Sequence, residues 1–229
     1  MGRSARPGGA PNGTDEGPGG DARRELARRA VREHGLTYAR QAGLTLTDTP
    51  SALYRLLVLT VLLANRLPAT AAVGAAAAVS RAGLRTPATM ASATWQERGD
   101  VLAASGYRRL AGRTATVLGA GAEMVLERWG GDLRRLRDES GGEAPAVRRA
   151  VETVPGIGRL GSAIFCREAQ GVWPQLAPFA DERVVLGAQA LGLPTTGPGL
   201  AALVPQVDLV HLVAACVRAS FGVPRPDPS

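Results

Sequence analysis

The stretch Val147-Arg148-Arg149-Ala150-Val151-Glu152-Thr153-Val154-Pro155-Gly156-Ile157-Gly158-Arg159 decides how this chain folds. Val147, Ala150, Val151 and Val154 recur at intervals of three and four, the spacing that places them on one face of a helix. Pro155 stops that helix, and Gly156 and Gly158 permit backbone angles and close approaches that a Cβ would block. A second helix is expected from Arg159, so the segment reads as a hairpin between helices. The amides of Gly156, Gly158 and the next helix's first turn lack intrahelical acceptors and point outward, a site for a phosphate oxygen. The same residues also fit a tight turn between packed helices, with Val154 and Ile157 plugging the core.

Working outward, helical spacing returns at Leu26, Ala30 and Val31, and again at Leu53, Leu56, Leu57 and Thr60. Strand signals are nearly absent, and the expected fold class is all-α. Breakers divide the chain into helices at 21–34, 50–66, 68–82, 87–104, 112–129, 144–153, 159–170, 182–191, 198–204 and 206–221. No internal repeat is visible, and Ala69 to Ala78 reads as a close-packing helix.

The 229 residues are 45% apolar and 21% charged, enough for one core or two small ones. The longest apolar run, Leu56 to Ala64, lies between Arg55 and Arg66 and falls well short of the roughly 20 residues of a membrane span. No membrane partner is expected. Residues 1–19 read as a flexible tail without the apolar block of a secretory signal, and the end from Gly222 reads as a second tail. The expected location is the cytoplasm.

Cys166 and Cys216 give neither a disulfide framework nor zinc-ligand spacing, and both read as buried, inert thiols. His34 and His211 read as packing or surface residues, and no metal or other cofactor is expected. All 27 basic residues are Arg, so a lysine Schiff base is closed to this chain. The Arg excess lies between residues 21 and 170, which allows a polyanion partner without demanding one. Nine scattered aromatic residues make poor base-stacking platforms, so any nucleic acid is expected to be duplex.

From Val154 to Arg159 the chain resembles the helix-hairpin-helix (HhH-GPD) DNA glycosylase superfamily, which contains endonuclease III, the adenine glycosylase and the alkylpurine glycosylases. The similarity begins near Ser51-Ala52-Leu53-Tyr54-Arg55-Leu56-Leu57-Val58-Leu59-Thr60-Val61-Leu62-Leu63, passes Gly106-Tyr107, and continues through the hairpin to Trp173-Pro174. It then reaches Phe179-Ala180-Asp181-Glu182-Arg183-Val184, where the family places a catalytic aspartate before a helix. The resemblance implies that Asp181 is the catalytic acid. Breaking an N-glycosidic bond builds positive charge on the sugar, and a fixed carboxylate near C1′ stabilises that state and orients the attacking water. As a residue in front of a helix, Asp181 is also a candidate N-cap, and one carboxylate can do both.

The resemblance further implies two lobes, a six-helix barrel at 45–172 that includes the hairpin, and residues 20–44 packed with 173–229. Duplex DNA would lie across the cleft, its backbone held by Pro155, Gly156, Ile157, Gly158 and Arg159. Arg66 falls near where the family inserts a polar side chain into the gap left by a flipped base, with a solvated helix end as the other reading. Tyr107 is a candidate for the base pocket, with burial at a helix boundary as its alternative; Trp173-Pro174 reads as structural. The Arg pairs at 108/109, 134/135 and 148/149 are candidates for phosphate contacts or for solvated helix faces.

Two departures from the family narrow the expectation. Where strand-cutting members have a lysine after the hairpin's Gly-Arg, this chain has Leu160, so no lysine-dependent lyase step is expected. Cys216 stands alone near the end, in place of four cysteines around an iron-sulfur cluster, so no cluster is expected. The expected function is that of a monomeric, monofunctional base-excision glycosylase removing a damaged or mismatched base from duplex DNA. The alternative is a non-catalytic module that recognises damaged or bent duplex, and a third reading is a helical interaction protein without a DNA role.

Overall fold

The structure is a computed structural model that describes residues 18–222. Both expected tails lie outside the described residues, apart from Pro18, Gly19 and Gly222.

The described residues are helical, with no strand among them, in agreement with the all-α expectation. α1 spans Pro18–His34, three residues longer at its start than the pattern predicts, and Asp21 lies in its first turn. A proline is well placed there, because the first helical amides have no intrahelical acceptor. A short α2, Tyr38–Gln41, follows behind Thr37, whose hydroxyl accepts the Arg40 amide. α3 is Pro50–Leu63 and α4 is Ala69–Arg81.

The helix expected over 87–104 is two helices, α5 at Pro87–Ser92 and α6 at Trp95–Ala104. The break is built by a capping box. Thr94 accepts the Glu97 amide through its hydroxyl, while the Glu97 carboxylate accepts the Thr94 amide at 2.7 Å. Arg98 then staples the break to the next helix, donating to the carbonyls of Met90 and Ala93 behind it and of Ala115 opposite.

α7, Ala111–Trp129, ends on Gly130 in the left-handed region. α8, Leu133–Glu139, falls outside the pattern-based expectation; Asp132 caps it through the Arg134 amide. α9 (Ala144–Glu152) and α10 (Arg159–Ala169) flank the hairpin as expected. α11 (Glu182–Ala190), α12 (Gly197–Ala201) and α13 (Gln206–Ala219) complete the described chain. No helix among the described residues is long and apolar enough to cross a membrane.

Buried side chains fall into two clusters. The larger gathers Leu53, Leu56 and Leu62 of α3, Leu118 and Val125 of α7, Val147 and Val151 of α9, and Phe165 and Cys166 of α10. Ala39, Ala42, Leu44, Trp173 and Leu176 also belong to it. The smaller holds Ala27 and Ala30 of α1, Val184 and Ala188 of α11, and Leu209, Leu212 and Cys216 of α13. α11 crosses α13 so closely that a Cβ on Gly187 would stand 1.7 Å from the Cys216 carbonyl oxygen.

α10 joins the two clusters. It packs on α3 and α9 on one side and on α13 on the other, and every residue from Gly161 to Gln170 is buried. Arg167, Glu168 and Gln170 are therefore enclosed despite their polarity, and each must find partners inside the protein.

Candidate functional site

The hairpin fits its glycines on separate grounds. Gly156 has φ +82°, and a Cβ there would stand 2.3 Å from Val117 Cγ1 on α7, so backbone and packing both require its missing side chain. Gly158 has ordinary extended angles, φ −105° and ψ −165°, and a Cβ there would meet no atom within 4 Å. Its face is open. Val154 and Ile157 are buried and anchor the turn in the larger core, and the Ile157 amide donates to the Val154 carbonyl at 3.1 Å. The Ser162 amide donates to the Gly158 carbonyl, beginning the helical ladder.

The amides of Gly156, Gly158, Arg159, Leu160 and Gly161 donate to no acceptor among the described residues. Four of these five residues are exposed. Such a row at a helix start offers aligned donors and the positive end of the helix dipole to an anion. The Arg159 side chain is exposed beside them and makes no ion pair with a described residue. Arg66 is exposed on the loop between α3 and α4. That loop leaves α3 beside the hairpin helix, since a Cβ on Gly161 would lie 3.5 Å from the Cβ of Ala64. The fold thus brings Arg66's loop and Arg159's helix to the same side.

Asp181 is the N-cap of α11, and its Oδ1 accepts the Val184 amide at 3.2 Å. Its other oxygen, Oδ2, lies 3.6 Å from the Nε of Arg167, an ion pair in which the side chains are 14% and 7% exposed. The loop before Asp181 is held as firmly. Gln170, the C-cap of α10, donates to the Phe179 carbonyl and accepts the Phe179 amide, at 3.2 and 3.0 Å. Arg167 and Gln170 lie three residues apart, on one face of α10.

A second group ties the hairpin to this loop. Arg148 on α9 donates to the Ser162 hydroxyl at 3.2 Å and to the Arg159 carbonyl at 3.3 Å, and its guanidinium sits 5.9 Å from the centre of the Phe179 ring. Ser162 in turn donates to Glu152 at 2.6 Å. Arg148 therefore bridges the hairpin helix and the loop before Asp181. Of the other Arg pairs, Arg134 is spent on Asp132 at 2.7 Å, whereas Arg108 and Arg109 are exposed.

The remaining sequence candidates are structural. Tyr107 is fully buried and donates its hydroxyl to the Leu62 carbonyl. Trp173 is buried with its indole N–H on Asp48 at 2.8 Å. His211 Nδ1 lies 2.8 Å from the Gly35 carbonyl oxygen. Cys166 and Cys216 are buried and unbridged, and burial pushes both thiols up to about 12. Among the described residues, no three His, Cys, Asp or Glu side chains cluster as metal ligands.

Arg167, Gln170 and Ser162 escape a reading of the pattern alone. They sit in a segment whose polar letters resemble a solvated helix face, and only the burial of α10 turns them inward. Comparison of the chain with protein-family models, curated proteins and solved structures finds no match.

Proposed function

We propose that the chain is a monofunctional DNA glycosylase that hydrolyses the N-glycosidic bond of a damaged or mismatched base in duplex DNA. The observation carrying this reading is that the hairpin and the first turn of α10 together present five unspent amides, while α10, two turns on, sets Arg167 beside the carboxylate of Asp181. The amides and Arg159 grip the backbone without reading sequence, since phosphate contacts position and base contacts specify. Arg66 lies on the same side to occupy the gap left in the stack.

With the nucleotide extruded, the Asp181 carboxylate faces the sugar and stabilises positive charge at C1′ as the bond to the base breaks. Water then adds to C1′ and leaves an abasic site. In this reading a six-helix barrel over 45–172 would be drawn from the eight helices α3 to α10, and the protein acts in the cytoplasm as a monomer, without an iron-sulfur cluster or a lysine-dependent lyase step.

One observation favours the second reading, a non-catalytic module that binds damaged or bent duplex. Asp181 already has two protein partners, the Val184 amide and Arg167, and a carboxylate so occupied can serve as a cap alone. The two readings separate when the purified protein is incubated with duplexes carrying uracil, oxidised or alkylated bases and then treated with alkali. Alkali-revealed cleavage that disappears in Asp181→Asn, with duplex binding intact, supports the enzyme. Binding without base release across the panel supports the module.

A further inference from the structure

We propose that Arg167, with Gln170 beside it, is the positioning residue of Asp181; the inference rests on the glycosylase reading above and adds to it the device that aims the acid. Three facts carry it. The ion pair is enclosed, with Arg167 only 7% exposed, so solvent does little to weaken it. The carboxylate is engaged from two directions, by a hydrogen bond from the Val184 amide at Oδ1 and by the guanidinium 3.6 Å from Oδ2, whose Nε donates to the Ala163 carbonyl at 3.4 Å and is thereby fixed on its own helix. Gln170 fixes the backbone two residues earlier with two hydrogen bonds, so the loop and the side chain it carries are set by one helix face.

The chemistry explains why an acid of this kind would need such a holder. An anion stabilises an oxocarbenium-like sugar only from a defined place, and a displacement of about 1 Å can cost on the order of 100-fold in rate. A loop aspartate with a single cap bond would swing about its side-chain torsions. Arg167 also carries an opposing effect, because its own positive charge repels the developing cation. The two effects predict opposite outcomes when the charge is removed, and that separates positioning from simple counter-charge.

The test measures binding to two duplexes, one with a pyrrolidine abasic nucleotide, which carries positive charge where the sugar would, and one with neutral tetrahydrofuran. Wild-type protein is expected to prefer pyrrolidine by at least about tenfold, as a transition-state mimic should be preferred, and Asp181→Asn to erase that preference. Arg167→Gln is expected to cut the preference to within about threefold while tetrahydrofuran affinity stays within about twofold, and Arg167→Lys to restore most of it. Gln170→Ala retains both charges and is expected to lower the preference as well, which keeps the idea testable if Arg167→Gln melts early.

A preference that is unchanged or larger in folded Arg167→Gln overturns the positioning role, since Arg167 would then merely offset the acid. An unchanged preference in Gln170→Ala overturns the part assigned to the loop clamp. Wild-type protein that binds both duplexes equally sinks the glycosylase reading itself, and the role of Arg167 falls with it.

Discussion

The Glu168 carboxylate, buried at the middle of the fold, accepts the Ala39 amide at 3.1 Å across 129 residues of sequence. Its second oxygen accepts the neighbouring Tyr38 amide at the same distance, so one side chain caps the start of α2 and pins it to α10. Removing it strands one buried donor and one half-buried donor. Glu168→Ala is expected to cost about 3 kcal/mol, the range for breaking a buried charged contact. For a chain of this size that lowers the melting temperature by about 6–12 °C, which thermal unfolding by circular dichroism would measure.

The two hairpin glycines should behave differently. Gly156→Ala meets both a left-handed φ and a Val117 methyl at 2.3 Å, so a loss of about 2 kcal/mol or more is expected in denaturant unfolding. Gly158→Ala enters open space with allowed angles and should leave the unfolding midpoint almost unmoved. If a backbone passes close to the open amides, the added methyl obstructs it, and duplex affinity should fall about tenfold at constant stability.

Arg159 and Arg66 should act on duplex binding through charge alone. Each Arg→Ala change is expected to weaken binding similarly across unrelated sequences and to reduce the slope of log affinity against log salt by about 1. Arg148→Ala provides the contrast. Its guanidinium is spent on Ser162, the Arg159 carbonyl and the Phe179 ring, so it should alter stability and leave the salt slope unchanged.

Both thiols should be silent until the protein unfolds. Burial raises Cys166 and Cys216 to about 12, against about 8.5 for a free thiol, so thiolate is scarce in the native state at pH 8. Labelling with a thiol reagent should track the global unfolding curve. The raised values also fix the sign of a pH effect. Unfolded thiols lose their protons from about pH 8.5 while native thiols keep theirs, so this contribution to stability is complete below that point and declines towards pH 12.

Much of the fold is legible in the residues, because helical spacing survives wherever one face is buried and the other is wet. α9 and α10 appear at their expected places for that reason. The division of 87–104 is legible too, in the Thr94-Trp95-Gln96-Glu97 capping signature, although continuous periodicity across it conceals the break. α8 is hidden because it follows Gly130-Gly131, letters that read as a loop until Asp132 caps a new helix. At the candidate site, Asp181's place in front of a helix is visible from the chain. Its partner is not. In Cys166-Arg167-Glu168-Ala169-Gln170 the polar residues imply a wet face, and that inference fails because two cores enclose this helix from opposite sides.

The enclosure of Gly161 to Gln170 has a mechanical corollary. A helix that packs on α3 and α9 and also on α13 couples the two hydrophobic masses, since opening either one uncovers part of it. Denaturation should therefore be a single all-or-none event, without a half-native species in which the amide-lined turn outlives the loop that bears the acid.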